Sequence, residues 1–185
     1  MITQTKPKAT IDDLYRVPEN GKAEIINGEL VLMPPTGDLP SRASGSIYVS
    51  LRQYERETGT GRAYPDNAGF IVDLPNRGSF GPDAAYHVGK STGMKFLEGA
   101  PIFAIEVRSE GDYGKAAERE MAKKRADYFA AGTLVVWDVD LLSDEAIRSY
   151  SASDPDNPKI FRRGEIADAE PALHGWQMPV DDLFS

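Results

Sequence analysis

Pro101-Ile-Phe-Ala-Ile-Glu-Val107 is the stretch that decides the fold. It is apolar almost without a break, and Glu106 is the one exception. Such a run reads as a central strand covered on both faces. A polar loop at 108–114 follows. Residues 115–131 then carry helical spacing and stop at Gly132, a residue suited to a helix end. Leu134-Val-Val-Trp-Asp138 is a second buried strand. Strand–helix–strand over 101–138 implies a crossover connection inside a mixed sheet.

Upstream, Lys22-Ala-Glu-Ile-Ile-Asn-Gly-Glu-Leu-Val-Leu-Met33 has Asn-Gly between two apolar runs, the strongest local hairpin signal. In that pairing Ile25, Leu30 and Leu32 share one face, and Glu24, Ile26, Glu29 and Val31 the other. Residues 1–9 read as a flexible leader. Thr10 and Asp13 form a capping pair opening a short helix from Ile11 to about Val17, and Pro18-Glu19-Asn20-Gly21 is a turn. A helix is expected from about Leu39 to Glu57. Strands follow at 69–74 and 83–88, with a turn at Pro75-Asn-Arg-Gly78 between them. Residues 89–100 read as a Gly-rich loop. An edge strand at 146–150, a turn at 154–158 and a strand at 159–163 complete the sheet, and 165–185 is short elements or loop. The expected fold is therefore α/β, with an N-terminal β-hairpin and a mixed β-sheet flanked by helices. Residues 10–185 are expected to form one domain.

Composition narrows the chemistry. The chain has 185 residues, no Cys and two His, His87 and His174. Thiol catalysis, Cys-ligated metal and disulfides are excluded, and an all-imidazole metal site is out of reach. The work must fall to carboxylates, Lys, Arg and hydroxyls. No run of about 18 apolar residues exists, so no membrane span is expected. MITQTKPKAT lacks the apolar stretch of a secretory signal, and a cytoplasmic location is the default expectation. The formal net charge is −8. That makes the chain a poor non-specific binder of nucleic acid unless its cations gather on one face. Arg42, Arg52, Arg56, Arg62 and Arg77 are the candidates for such a face, with Arg52 and Arg56 four apart on the expected helix.

Three residues could carry a reaction. Glu106 lies near the end of a core strand, where a buried acid is costly unless paired or metal-bound. It either marks the point where the strand meets solvent or belongs to a site. Asp83 follows Gly81-Pro82 at the start of its strand, so it is a turn residue or a second carboxylate near Glu106. Lys124 falls on the stripe Ala117, Met121, Lys124, Tyr128 and Ala131, which spacing places on one helix face. Its ammonium either snorkels out or meets a carboxylate. Lys123, by contrast, projects with Arg119 and Asp127 and reads as solvated. Together Asp83, Glu106 and Lys124 have the chemistry of a phosphodiesterase centre. Two acids would hold Mg²⁺ or Mn²⁺ and an ammonium would offset charge on phosphate. His87 reads as packing or surface, Trp137 as core, and His174-Gly175-Trp176 as a turn with an anchoring aromatic.

The order of these residues resembles the Uma-type restriction endonuclease family of the PD-(D/E)XK nuclease superfamily. The resemblance is carried by Glu24-Ile-Ile-Asn-Gly-Glu-Leu-Val-Leu-Met-Pro-Pro35, Pro82-Asp83, Ala104-Ile-Glu-Val-Arg-Ser109, Lys124-Arg-Ala-Asp-Tyr-Phe-Ala-Ala-Gly132, Val136-Trp-Asp138 and His174-Gly-Trp-Gln-Met-Pro-Val-Asp-Asp-Leu-Phe184. It implies a restriction endonuclease-like core and a divalent-metal nuclease site acting on DNA. By motif, Asp83 is the "PD" acid and Glu106 the "(D/E)" acid, and these two would be the metal ligands. The superfamily's Lys stands two residues after that acid, where this chain has Arg108; the Uma-type pattern moves it to the next helix, at Lys124. Glu24 also matches a family acid, although its place in a hairpin reads as surface. The chain departs from the pattern at Pro40, where a His is common, and at Glu110, where a Pro follows Ser. A different class of function remains open: a non-catalytic, homodimeric interaction module on a nuclease-derived fold. A hydrolase of small phosphoesters is a third reading.

Overall fold

The computed structural model describes residues 7–18 and 21–185. Most of the expected leader, 1–6, and the centre of the expected turn, Glu19 and Asn20, lie outside them. The described part of the leader is tied down at Ala9, whose N–H donates to the Gly28 carbonyl at 2.7 Å.

The elements run in chain order as follows. Helix α1 spans Ile11–Tyr15, β1 Lys22–Ile26, β2 Glu29–Met33, α2 Asp38–Thr58, β3 Arg62–Pro65, β4 Phe70–Leu74 and β5 Arg77–Phe80. Then come β6 Ala84–His87, β7 Leu97–Glu98, β8 Phe103–Val107, α3 Lys115–Ala130 and β9 Val135–Val139. Strands β10 Ile147–Ser151, β11 Asp154–Phe161, β12 Ile166–Asp168 and β13 Gln177–Pro179 precede a terminal 3-10 turn at Val180–Phe184. The α/β class, the mixed sheet and the N-terminal hairpin are as the sequence predicts.

Local chemistry explains most boundaries. Thr10 and Asp13 make a reciprocal capping box at α1. Asn27 and Gly28 both take positive φ, 51° and 75°, the backbone a two-residue hairpin turn demands. Gly59 closes α2 in the left-handed region at φ 64°.

The strands form two main sheets, ordered β2-β1-β5-β4-β7 and β11-β10-β9-β8-β6-β3, with β12-β13 as a small ribbon. In the six-stranded sheet β8 and β9 are parallel, joined through α3, and their other neighbours are antiparallel. Side-chain alternation divides its two faces. Phe103, Ile105, Val107, Trp137 and Val139 pack with Ala43, Ile47 and Leu51 of α2 and with Leu173, Trp176 and Met178 of the C-terminal segment. Ala85, Ala104 and Val136 turn the other way, toward Tyr128 of α3 and Phe70, Phe80 and Leu97 of the five-stranded sheet. The layers are thus α2 with the C-terminal segment, the six-stranded sheet, and then α3 with the five-stranded sheet.

Four local expectations are corrected. The strand expected at the sheet edge, 146–150, is interior, with β10 paired to both β9 and β11. The turn at 75–78 already contains the start of β5, and the loop at 89–100 contributes β7. Residues 154–158 belong to β11 despite Pro155 and Pro158. That strand lies at the sheet edge, where a missing N–H costs no ladder bond. Strand β3, which pairs with β6, had no expectation at all.

Candidate functional site

The six-stranded sheet presents a row of carboxylates to the α3 side. Ala84 pairs with Ile105 across β6 and β8, so the next step of that antiparallel register puts Asp83 opposite Glu106. The register is held just outside the ladder. The Asp83 N–H donates to the Ile105 carbonyl at 3.0 Å, and the Val107 N–H donates to Asp83 Oδ2 at 2.8 Å. Glu106 is in turn registered with Asp138 on β9. Three neighbouring segments therefore turn three acids to one face.

Helix α3 lies over that face, as the crossover requires, and sets its stripe against it. Lys124 Nζ donates to Glu106 Oε2 at 2.8 Å, and the Tyr128 hydroxyl donates to Oε1 at 2.6 Å. Asp83, Glu106 and Lys124, singled out by sequence, thus lie in one cluster. Lys123 projects to solvent, where it pairs with Glu120. Asp127 does not: it is turned inward against Arg77 at 2.7 Å.

Glu24 is the main departure from expectation. It is fully buried, not a surface residue. Its Oε2 accepts from Arg77 Nη1 at 2.6 Å, its Oε1 accepts from the Gly81 N–H at 2.9 Å, and Lys124 Nζ lies 2.9 Å from Oε1. A buried carboxylate is tolerated only when paired and hydrogen-bonded, and Glu24 has two cations and an amide. Arg77 is fixed by Asp127, which also takes the Asn76 amide at 2.8 Å. Arg77 therefore has no part in a basic outer face. Of the others, Arg42 donates to the Ser185 carbonyl, and Arg52 pairs with Glu55 on its own helix.

Lys22 is the residue that sequence reasoning passed over. It sits two residues before Glu24, on the same face of β1. Its Nζ lies 2.8 Å from Asp83 Oδ1 and 2.7 Å from Asp66 Oδ1. The period of two was the available signal, once Glu24 was placed inside.

The electrostatics of this cluster follow from burial against pairing. Burial raises the Glu106 carboxyl above the ordinary range; Lys124 pulls it back, and the nearby Asp83 and Glu24 raise it further. Burial also works against ionised Glu24, but Lys124 and Arg77 outweigh it and hold that carboxyl low. Lys124 is disfavoured by burial, yet Glu106 and Glu24 hold its ammonium firmly protonated. Lys22 is likewise kept charged by Asp83 and Glu106 against its own desolvation. Tyr128 is pushed well up by burial and by Glu106, so it stays a neutral donor.

Arg108, at the position of the superfamily's Lys, is turned aside. Its guanidinium grips Asp138 with two hydrogen bonds of 2.8 Å and holds Glu118 of α3 as well. It is thereby withheld from Glu106, and Lys124 supplies the ammonium there. His87 packs against Tyr64 and Phe70 as expected. His174 lies exposed in its turn beside buried Trp176.

Among the described residues, no helix is long and apolar enough to cross a membrane. None of their His, Asp and Glu side chains form a group of three or more arranged to hold a metal. Within the cluster Asp83 and Glu106 are the facing carboxylates, and Lys22 links Asp83 to Asp66.

Comparison with known proteins bears on this arrangement. The chain is similar to a crystal structure from Anabaena variabilis ATCC 29413 described as "a putative nuclease belonging to DUF820". The TM-score is 0.72 at 17% identity, over 95% of this chain and 97% of that one. At that identity the likeness establishes a shared fold. No curated protein matches the chain. The family model for Uma2, described as "Putative restriction endonuclease", matches residues 11–181, from the first turn of α1 to the terminal 3-10 turn. That span takes in the hairpin with Glu24, the Asp83–Glu106 pair and the helix with Lys124, and the chain belongs to the Uma2 family.

Proposed function

We propose that the protein is a divalent-metal-dependent endonuclease that hydrolyses phosphodiester bonds in DNA. The observation that carries this reading is the facing pair Asp83 and Glu106, with an ammonium 2.8 Å from Glu106. The donor set fits Mg²⁺ or Mn²⁺. These are hard cations that take oxygen ligands, and Mg²⁺ commonly uses one or two carboxylates with the remaining positions left to water and phosphate. Charge fits as well. Five carboxylates (Glu24, Asp66, Asp83, Glu106 and Asp127) are linked to three cations, Lys22, Arg77 and Lys124. Full ionisation leaves an excess of negative charge.

Asp83 and Glu106 would hold the ion, which supplies Lewis-acid polarisation of the phosphoryl oxygen and an acidified water. The chain's own residues orient the rest. An ammonium has three donors. Lys124 spends two on Glu106 and Glu24, and the third is free to meet a phosphate oxygen or the attacking water. Glu24 touches no substrate in this scheme. It is a positioning residue, fixed from behind by Arg77 and the Gly81 amide, that keeps Lys124 from collapsing onto Glu106 alone. Water adds to phosphorus, one P–O ester bond breaks, and the proton lost by water leaves with the departing alcohol. Lys22 and Lys124, both partly exposed, are the cations offered to the phosphate backbone at this edge.

The test is cleavage of plasmid DNA with Mg²⁺ or Mn²⁺, with and without chelator, by wild type, Asp83→Asn, Glu106→Gln and Lys124→Met. Metal-dependent cleavage lost in all three variants supports the proposal. No cleavage of DNA by the wild type, or cleavage unaffected by Asp83→Asn, overturns it and favours the non-catalytic interaction module.

A further inference from the structure

Lys22, offered to the phosphate backbone in the scheme above, is also paired directly with Asp83, one of the two carboxylates that would hold the ion. Its ammonium is 2.8 Å from Asp83 Oδ1, and its charge acts on Glu106 as well. It is anchored differently from Lys124. Lys124 is tied to Glu106 and to Glu24, and Glu24 is itself fixed by Arg77 and a backbone amide. Lys22 instead bridges Asp83, 14% exposed in its side chain, and the more exposed Asp66, at 34%. Asp66 is held in place without Lys22, by the Asn67 N–H at 2.7 Å and the Thr36 hydroxyl at 3.3 Å. The Lys stem is long and flexible and its head is a point charge, so it can give up Asp83 while keeping Asp66.

We propose that Lys22 is a displaceable counter-ion of the metal site: it neutralises the Asp83–Glu106 pair in the ion-free protein, and an entering divalent cation drives it off Asp83 onto Asp66 alone. This rests on the reading of Asp83 and Glu106 as metal ligands. The ion-free site then needs no metal to be stable, because the ammonium offsets the repulsion between the two acids until an ion arrives. The cost falls on affinity, because every ion that binds must break the Lys22–Asp83 pair and tolerate an ammonium nearby.

Two measurements test it, with Mn²⁺ as the probe. The first is calorimetric titration of wild type, Lys22→Met and Asp83→Asn. Lys22→Met keeps the length of the stem and removes the charge, and it should bind Mn²⁺ about tenfold more tightly than wild type. The second needs no variant: acylation of wild-type lysines by acetic anhydride, read by mass spectrometry across a Mn²⁺ titration. Lys22 should label severalfold faster once Mn²⁺ is bound, while exposed Lys123 keeps its rate. If wild type binds Mn²⁺ through Asp83 but Lys22→Met binds no tighter, or Lys22 labelling is unchanged or slower with Mn²⁺, the Lys22 assignment is overturned and the metal reading stands. If neither wild type nor Lys22→Met takes up Mn²⁺, the metal reading fails and this proposal with it.

Discussion

Two ion networks lie on the same face of the six-stranded sheet, one strand apart, and they differ in how completely they are closed. Around Arg108, both partners of the central pair are 2% exposed, and the guanidinium fork is filled by Asp138 and Glu118. Around Glu106, Lys124 and Glu106 are 20% and 21% exposed, and five linked carboxylates face three cations. The two networks are built from adjacent carboxylates, Glu106 and Asp138, in register across β8 and β9. A saturated fork leaves nothing to offer a ligand and serves to pin α3 to the sheet. An incompletely matched cluster at an open edge keeps binding capacity. The difference teaches which of two buried charge clusters to read as a site: the one whose pairing does not close.

Substitutions can break that contrast. The largest effect is expected at Arg108. Arg108→Ala leaves buried Asp138 with Arg125, 3.9 Å away, as its remaining counter-charge and should cost about 3 kcal/mol in unfolding free energy, read by urea denaturation. Replacing the pair together, Arg108→Met with Asp138→Leu, should recover most of the loss, because no buried charge is left alone. Lys124→Met should show the opposite profile: a rate of metal-dependent cleavage lower by about a hundredfold or more, with a smaller stability change than Arg108→Ala. If Lys124→Met unfolds the protein while Arg108→Ala leaves it intact, the assignment of clamp and site is reversed.

Glu24→Gln sharpens the picture further. Loosening the rear anchor of Lys124 should lower the cleavage rate about tenfold while Mn²⁺ affinity is unchanged; a purely structural Glu24 would lower stability and leave the rate of the folded fraction alone. The smallest effect is at His87, remote from either network in function. Burial holds its imidazole below the ordinary value of 6.5, and its Nδ1 contact with the Ala100 carbonyl only partly offsets this. Below that value the unfolded chain binds more protons at this residue than the folded protein does. Its contribution is therefore intact above about pH 6.5 and is lost as pH falls from there through the depressed folded value. The urea midpoint of His87→Gln should accordingly fall less between about pH 7.5 and pH 5 than that of wild type.

What was legible in the sequence was set by short-range rules. Asn27-Gly28 fixed the hairpin and its register. The stripe through Ala117, Met121, Lys124 and Tyr128 separated Lys124 from Lys123, and the apolar run around Glu106 exposed that acid as an anomaly. What was not legible depended on partners far along the chain. Glu24 looked like a surface residue because Ile25, Leu30 and Leu32 claimed the apolar face of the hairpin. Both faces turn out to be partly covered, and the counter-charge that permits Glu24 inside comes from Arg77, on a strand read as a turn. Strand β11 was hidden by its prolines, which only its edge position excuses. Lys22 was missed because its partners, Asp66 and Asp83, come from loops that meet only in the folded chain.

The central claim is that Asp83 and Glu106 share one divalent cation. A crystal soaked in Mn²⁺ and measured near the manganese absorption edge tests it most directly. The account predicts one anomalous peak within bonding distance of both carboxylates, with the Lys22 ammonium drawn toward Asp66. A Mn²⁺-saturated crystal with no peak there, or with its peak at another set of residues, would contradict it.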